Sequence, residues 1–178
     1  MLSIMKKLIL IILMAGLIAG CSPKELSREE ASRIIQKEMQ YPKVVDYDIY
    51  CSDPAMLRKV IDAGLEEKGL VTVQRTQKLK DIGKPLIEFT DKAKANLLST
   101  PEKDKEIHIQ KVKIADEEFV NVTGIQTSEG GKNAVAEYTT AYKNVNGFSS
   151  LINKDYNKPD THKAYFVLYD DGWRLEKK

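Results

Sequence analysis

Cysteine and histidine are the residue types that most readily do metal or nucleophilic chemistry, and this 178-residue chain holds two of each. His108 and His162 each lack a second His or Cys at the spacing of a metal site. Cys51 could pair with either histidine as nucleophile and base, but no thiol-enzyme motif surrounds it. We therefore predict no metal site, no cofactor and no catalytic residue. Cys51 is expected to be a half-buried small hydrophobe, with a reactive thiol or an intermolecular disulfide as the alternatives.

Aromatic side chains concentrate in the last third of the chain, where they could bind a partner. Tyr142, Tyr165 and Tyr169 lie in predicted strands and form a candidate contact surface for a protein or a glycan. The alternative is that these tyrosines fill the core of the sheet and its flank. If they form a contact surface, replacing all three should abolish partner capture and leave the fold intact.

The N-terminal segment has the order of a signal peptide. Lys6 and Lys7 precede an apolar run over 8–19, and residues 17–21 are Leu-Ile-Ala-Gly-Cys. The run has about a dozen residues, whereas a membrane-spanning helix needs about 20, so a permanent transmembrane anchor is disfavoured. Leu17-Ile18-Ala19-Gly20-Cys21 resembles the lipobox of bacterial lipoproteins.

The lipoprotein resemblance implies lipid attachment and a location. It implies cleavage before Cys21, diacylglycerol on the Cys21 sulfur and a further acyl chain on its amine, which together give stable membrane anchoring. Ser22 implies sorting to the periplasmic face of the outer membrane if the host is Gram-negative. With Cys21 lipidated, Cys51 has no partner for a disulfide within the chain.

Removal of residues 1–20 leaves a neutral protein. The whole chain has 28 Lys+Arg and 26 Asp+Glu, and the excess of two is Lys6 and Lys7. A neutral chain releases few counterions from a nucleic acid, so we predict no nucleic-acid partner. The tether of residues 21–26 extends no more than about 20 Å, so the folded part is expected to lie close to the membrane.

Residues 27–100 are predicted to form a helical subdomain that includes a β-hairpin. Ser27-Arg28-Glu29-Glu30 fits a capping box and begins a helix that ends near Gln40. Asp53-Pro54 begins a second helix, which Gly69 ends. Next come a strand over 70–76, a turn carrying Lys78, Lys80 and Lys84, a strand over 86–89, and a third helix from Thr90-Asp91 to Leu98.

Residues 65–71, Leu-Glu-Glu-Lys-Gly-Leu-Val, are followed after the turn by residues 86–93, Leu-Ile-Glu-Phe-Thr-Asp-Lys-Ala. This pattern, within about 54–98, resembles the end of the recognition helix, the wing and the following helix of MarR-like winged-helix regulators. Ala93 stands where that family usually has Gly. The resemblance implies a local helix-hairpin-helix shape and does not imply DNA binding.

Residues 101–178 are predicted to form an antiparallel meander of four to five strands, similar in shape to cystatin-like modules. Apolar residues change parity between Ile109 and Val112, which predicts a bulge near Gln110-Lys111. Asp170-Asp171-Gly172 predicts a hairpin turn. The strands are expected over 107–114, 119–127, 133–145, 164–169 and 173–176, and the third places Ala134, Ala136, Tyr138 and Tyr142 on one face.

The chain is therefore expected to be an α+β protein with N-terminal helices, a winged-helix-like hairpin and a C-terminal antiparallel meander. The predicted function is a lipid-anchored cell-envelope lipoprotein that binds or scaffolds an envelope protein or glycan and is not an enzyme. An envelope hydrolase or thiol enzyme, with a site assembled from scattered residues, is the alternative.

Overall fold

The computed structural model describes residues 25–176, so the predicted signal segment, Cys21 and most of the tether lie outside the described residues. The described part is a mixture of helix and sheet, and none of its helices is long and apolar enough to cross a bilayer. The helices are α1 (Arg28–Glu38), α2 (Pro54–Asp62) and α3 (Glu102–Glu106). The strands are β1 (Lys43–Tyr50), β2 (Val71–Val73), β3 (Ile87–Phe89), β4 (Ile109–Thr127), β5 (Asn133–Lys143), β6 (Asp160–Tyr169) and β7 (Gly172–Leu175).

Five strands form one curled antiparallel sheet in the order β1-β4-β5-β6-β7, and β2 and β3 form a separate hairpin. The run from β4 to β7 confirms the predicted meander. Its last turn also forms as predicted, since Tyr169 pairs with Gly172 across residues 170 and 171. β1 comes from the N-terminal half and pairs with β4. The N-terminal and C-terminal halves of the chain therefore contribute strands to the same sheet.

Strand β4 is continuous over 19 residues, and the prediction of two separate strands here was wrong. A bulge is present, but it lies at Ile114 and not at residues 110–111, because the register with β1 jumps at that position. The bulge lets two successive side chains, Ile114 and Ala115, turn into the core. Two further irregularities occur opposite β5, at Val120 and Thr123. Together these extra residues bend β4 and curl the sheet.

Helix α1 begins and packs as its sequence pattern predicted. The Ser27 hydroxyl accepts a hydrogen bond from the Glu30 N–H at 3.1 Å, and Ile35 is fully buried. The apolar stripe of α1 joins the sheet in a cluster that we call the α1 cluster. It consists of Leu26, Ala31, Ile34, Ile35, Val122, Ala134, Ala136, Tyr138, Ala164, Phe166 and Trp173.

A second cluster, which we call the hairpin cluster, lies at the other end of β4. It joins α2, the β2–β3 hairpin, the first part of β4 and the turn of 3₁₀ helix at Gly147–Leu151. Its largest fully buried side chain is Phe148. The cluster consists of Ile49, Cys51, Met56, Val60, Leu65, Leu70, Val71, Leu86, Ile87, Ala93, Val112, Ile114, Ala115, Phe148 and Leu151.

Two helices in this region differ from the prediction. α2 ends at Asp62 and not at Gly69, because Gly64 adopts a left-handed conformation with φ of 67°. The predicted third helix is a turn of 3₁₀ helix over Asp91–Asn96. It stops there because Leu97 already forms a bridge to Val112 of β4.

The Leu26→Ala substitution is expected to lower the free energy of unfolding by about 2–4 kcal/mol, because the smaller alanine leaves a cavity where the buried leucine side chain packed. The matched control is Leu79→Ala, since Leu79 is 87% exposed whereas Leu26 is 5% exposed. The control is expected to change stability by less than about 0.5 kcal/mol. Urea unfolding followed by circular dichroism measures both. Equal losses in the two variants would contradict the burial of Leu26 in the folded core.

Candidate functional site

The strand register places the three candidate tyrosines on two different faces of the sheet. Tyr142 lies on the inner face, which also carries Ala134 and packs against α1. Tyr165 pairs directly with Val135, which alternates with Ala134 and so points to the outer face. Tyr169 follows four residues later in β6 and shares the outer face. The structure therefore brings Tyr165 and Tyr169 to one face and separates Tyr142 from them.

Tyr142 is held in a network that fastens the connection between β5 and β6. Its hydroxyl donates to Asp160 Oδ2 at 2.7 Å, Lys154 Nζ lies 4.6 Å from the centre of its ring, and the Tyr156 ring packs edge-on at 5.2 Å. The Lys154 ammonium, together with the Tyr142 hydroxyl, holds the pKa of the Asp160 carboxyl below its usual range. Since this pKa is lowered by folding, the stabilisation is present above about pH 4 and is lost as the pH falls through the folded-state value.

A second cluster of polar side chains on the inner face connects β4, β5 and β6. The Thr140 hydroxyl donates to Glu117 Oε1 at 2.8 Å, and His162 Nε2 lies 2.9 Å from the same hydroxyl oxygen. His162 Nε2 is also 3.4 Å from Glu117 Oε1. Thr140 is fully buried, so its hydroxyl is closed to substrate. The three side chains satisfy one another across the strands.

Aromatic rings continue this inner layer toward α1. Tyr138 stacks on His162 with ring centres 5.1 Å apart and on Phe119 at 5.8 Å. The Tyr41 and Tyr138 hydroxyls are 3.3 Å apart. Burial, the contact with Tyr138 and the nearby Glu117 carboxylate raise the pKa of Tyr41 well above its usual range. Tyr138 is a member of the α1 cluster, and Tyr41 and Phe119 pack against it, so these rings are structural.

The outer face carries a partly exposed apolar stripe along β6. Tyr165, Val167 and Tyr169 alternate along this strand, and Tyr169 is 52% exposed. The Arg174 guanidinium lies 4.7 Å from the centre of the Tyr169 ring. Beside the stripe is a shallow groove of about 240 Å³, lined by Gly124, Ile125, Gln126, Val135, Glu137 and Lys163. Exposed rings with a rim of polar groups can contact a protein or a sugar.

Cys51 is buried in the hairpin cluster, with 6% of its surface exposed. Burial raises the pKa of the Cys51 thiol to about 11, so the group is a neutral thiol at pH 7. The side chain of His108 is directed elsewhere, with Nδ1 2.7 Å from the Ser52 hydroxyl. Cys51 is thus more deeply buried than predicted and is not activated as a nucleophile.

No local pattern had indicated Glu117, Thr140, Lys154 or Asp160 as members of these networks. Asp160 lies 18 positions from Tyr142, and Thr140 lies 22 positions from His162 and 23 from Glu117, so these contacts exist only once the strands pair. Among residues 25–176, no group of three or more His, Cys, Asp or Glu side chains is placed to hold a metal ion.

Comparisons with protein-family models, with curated proteins and with solved structures find no match to this chain.

The Tyr142→Phe substitution is expected to lower the free energy of unfolding by about 1 kcal/mol, because Asp160 loses a hydrogen bond in a half-buried network. Tyr169→Phe is the matched control, since the Tyr169 ring packs under Arg174 on the exposed outer face. The control is expected to be neutral within about 0.5 kcal/mol. Urea unfolding at pH 7 measures both. An equal effect of the two substitutions would contradict the division of the tyrosines between the two faces.

Proposed function

We propose that this protein is a lipid-anchored cell-envelope lipoprotein whose folded domain is a non-enzymatic binding or scaffolding module. One observation carries the proposal. Leu26 is buried in the α1 cluster and lies only five residues after the lipobox cysteine, Cys21. A chain of five residues extends about 17 Å at most, so lipid on Cys21 keeps the domain at the membrane surface.

The lipobox resemblance supports the location. Lipid on Cys21 holds the protein in the envelope, and Ser22 favours the periplasmic face of the outer membrane if the host is Gram-negative. Several acyl chains make such an anchor stable, whereas a single chain gives only marginal binding. The short tether favours a partner that is itself close to the membrane.

The outer face of the sheet is the proposed contact surface for an envelope protein or glycan. Tyr165 and Tyr169 supply the rings, and Glu137, Lys163 and Arg174 supply polar groups around them. Tyr142 is excluded from this surface, because its hydroxyl is engaged with Asp160 on the opposite face. The proposed site therefore retains two of the three tyrosines selected from the sequence.

Other functions find less support. A thiol enzyme would need an activated Cys51, and the burial that raises its pKa to about 11 counts against this. The α2 and β2–β3 segment is proposed to share the shape of a winged-helix wing without its DNA-binding role. Equal numbers of acidic and basic residues after Gly20 support that exclusion.

The anchor is tested by replacing each cysteine in turn. In the native protein we expect an N-terminal peptide that begins at Cys21 and has the added mass of diacylglycerol and an acyl chain. Cys21→Ser should abolish the acylation and release the protein from membranes, whereas Cys51→Ser should leave both unchanged. Mass spectrometry and membrane fractionation provide the measurements. An unmodified Cys21 in the native protein would refute the lipid anchor.

The contact surface is tested by in-cell crosslinking of the lipidated protein. The double substitution Tyr165→Ala/Tyr169→Ala is expected to remove the major crosslinked product. Tyr50→Ala is the control, because Tyr50 is a tyrosine with similar exposure, 46%, on β1 at the far edge of the sheet. Circular dichroism confirms that each variant is folded. Retention of the product in the folded double variant would place the contact surface elsewhere.

A further inference from the structure

The tip of the β2–β3 hairpin carries the two most exposed large apolar side chains of the described residues. Leu79 is 87% exposed and Ile82 is 68% exposed. The chain forms a turn of 3₁₀ helix over Leu79–Asp81, and the N–H of the next residue, Ile82, donates to the Leu79 carbonyl at 3.5 Å. Leu79 and Ile82 therefore lie at the two ends of the same exposed turn. Exposed paired aliphatic side chains are costly in water and are typical of a contact site.

The same tip has a surplus of positive charge. Lys84 pairs with Asp81 at 2.6 Å, and this pair is neutral as a unit. Lys78 and Lys80 flank Leu79 and have no ion-pair partner among residues 25–176. The two lysines are complementary to a negatively charged surface, and the two aliphatic side chains are complementary to an apolar layer beneath it.

The base of the hairpin is fixed to the body of the domain. The N–H groups of Leu86 and Ile87 donate to the Cys51 carbonyl at 2.7 and 3.1 Å. On the other side the Thr90 hydroxyl donates to the Gly69 carbonyl at 2.7 Å. The base is thus part of the core, and it holds the apolar and basic tip outside the core.

We propose that this hairpin tip inserts into an anionic phospholipid surface and is a second membrane contact of the protein. Leu79 and Ile82 enter the boundary of the acyl chains, while Lys78 and Lys80 extend to the lipid phosphates. Lysines near such a surface are attracted by its negative potential. The inference rests on the proposed lipid anchor, which brings the domain to the membrane.

The positions of the two contacts predict the orientation of the domain. The lipid-anchored end of the chain leads to Leu26, which belongs to the α1 cluster. The hairpin belongs to the hairpin cluster, which also includes residues from the first part of β4. The 19-residue strand β4 runs between the two clusters. A protein attached at both points does not stand upright on its tether.

The experiment uses the lipidated full chain in vesicles, with a single cysteine introduced for an environment-sensitive fluorophore. Leu79→Cys and Ile82→Cys place the label at the tip, and Val120→Cys is the control, since Val120 is 53% exposed in the middle of β4. Cys51 contributes little background, because it is buried with a raised pKa. In vesicles with phosphatidylglycerol we expect a blue shift and protection from acrylamide for the tip labels. In phosphatidylcholine vesicles, and at Val120, we expect neither.

The role of the lysines is tested in the same assay. Lys78→Gln/Lys80→Gln is expected to lower the ratio of inserted to free tip about 30-fold, because each lysine near an anionic surface contributes a factor of about five. Lys132→Gln/Lys143→Gln removes the same charge from exposed positions on or beside β5 and should leave the ratio unchanged.

The outcomes separate this inference from the lipid anchor. Mass spectrometry of the Cys21 peptide shows first whether the protein is lipidated, and absence of lipid refutes the anchor itself. If the protein is lipidated, tip labels that stay in water in anionic vesicles overturn the inference alone. Equal insertion into neutral vesicles, or protection only after an acidic envelope protein is added, also overturns it.

Discussion

The curvature of strand β4 is the constraint on which the rest of the fold depends. This strand pairs with β1 over its first part and with β5 over its second, and it contributes to both hydrophobic clusters. A flat strand of 19 residues would extend about 60 Å and could not bring both ends against compact packing partners. Extra residues at Ile114, Val120 and Thr123 bend it. The curl lets one sheet support a helix on one half and a hairpin on the other.

The two faces of the curled sheet also have different surroundings. On the inner face, the buried polar groups of Thr140 and Glu117 find partners on neighbouring strands, as burial of polar groups requires. Thr140 is fully buried in this network. On the outer face, Tyr165 and Tyr169 are not covered by a helix, and polar groups surround them. The contact surface that we propose therefore lies on the outer face.

Local signals in the sequence predicted the beginnings of helices and the tight turns well. The Ser27 cap, the Asp53-Pro54 start of α2 and the turn at residues 170–172 all formed. Each depends on the conformational preferences of a few neighbouring residues, and tertiary contacts do not change these preferences. Alternation along β5 was also correct, since Ala134 and Ala136 are both buried.

By itself the sequence determined the class of fold, the element starts and the candidate lipid attachment at Cys21, because these depend on short patterns. Only the tertiary structure decided which elements meet. The register that pairs Val135 with Tyr165 placed Tyr142 on the opposite face from the other two tyrosines, and β1 became an edge strand through pairing with β4. Strand register and order are set by the packing of residues far apart in the chain, and a one-residue shift exchanges the faces.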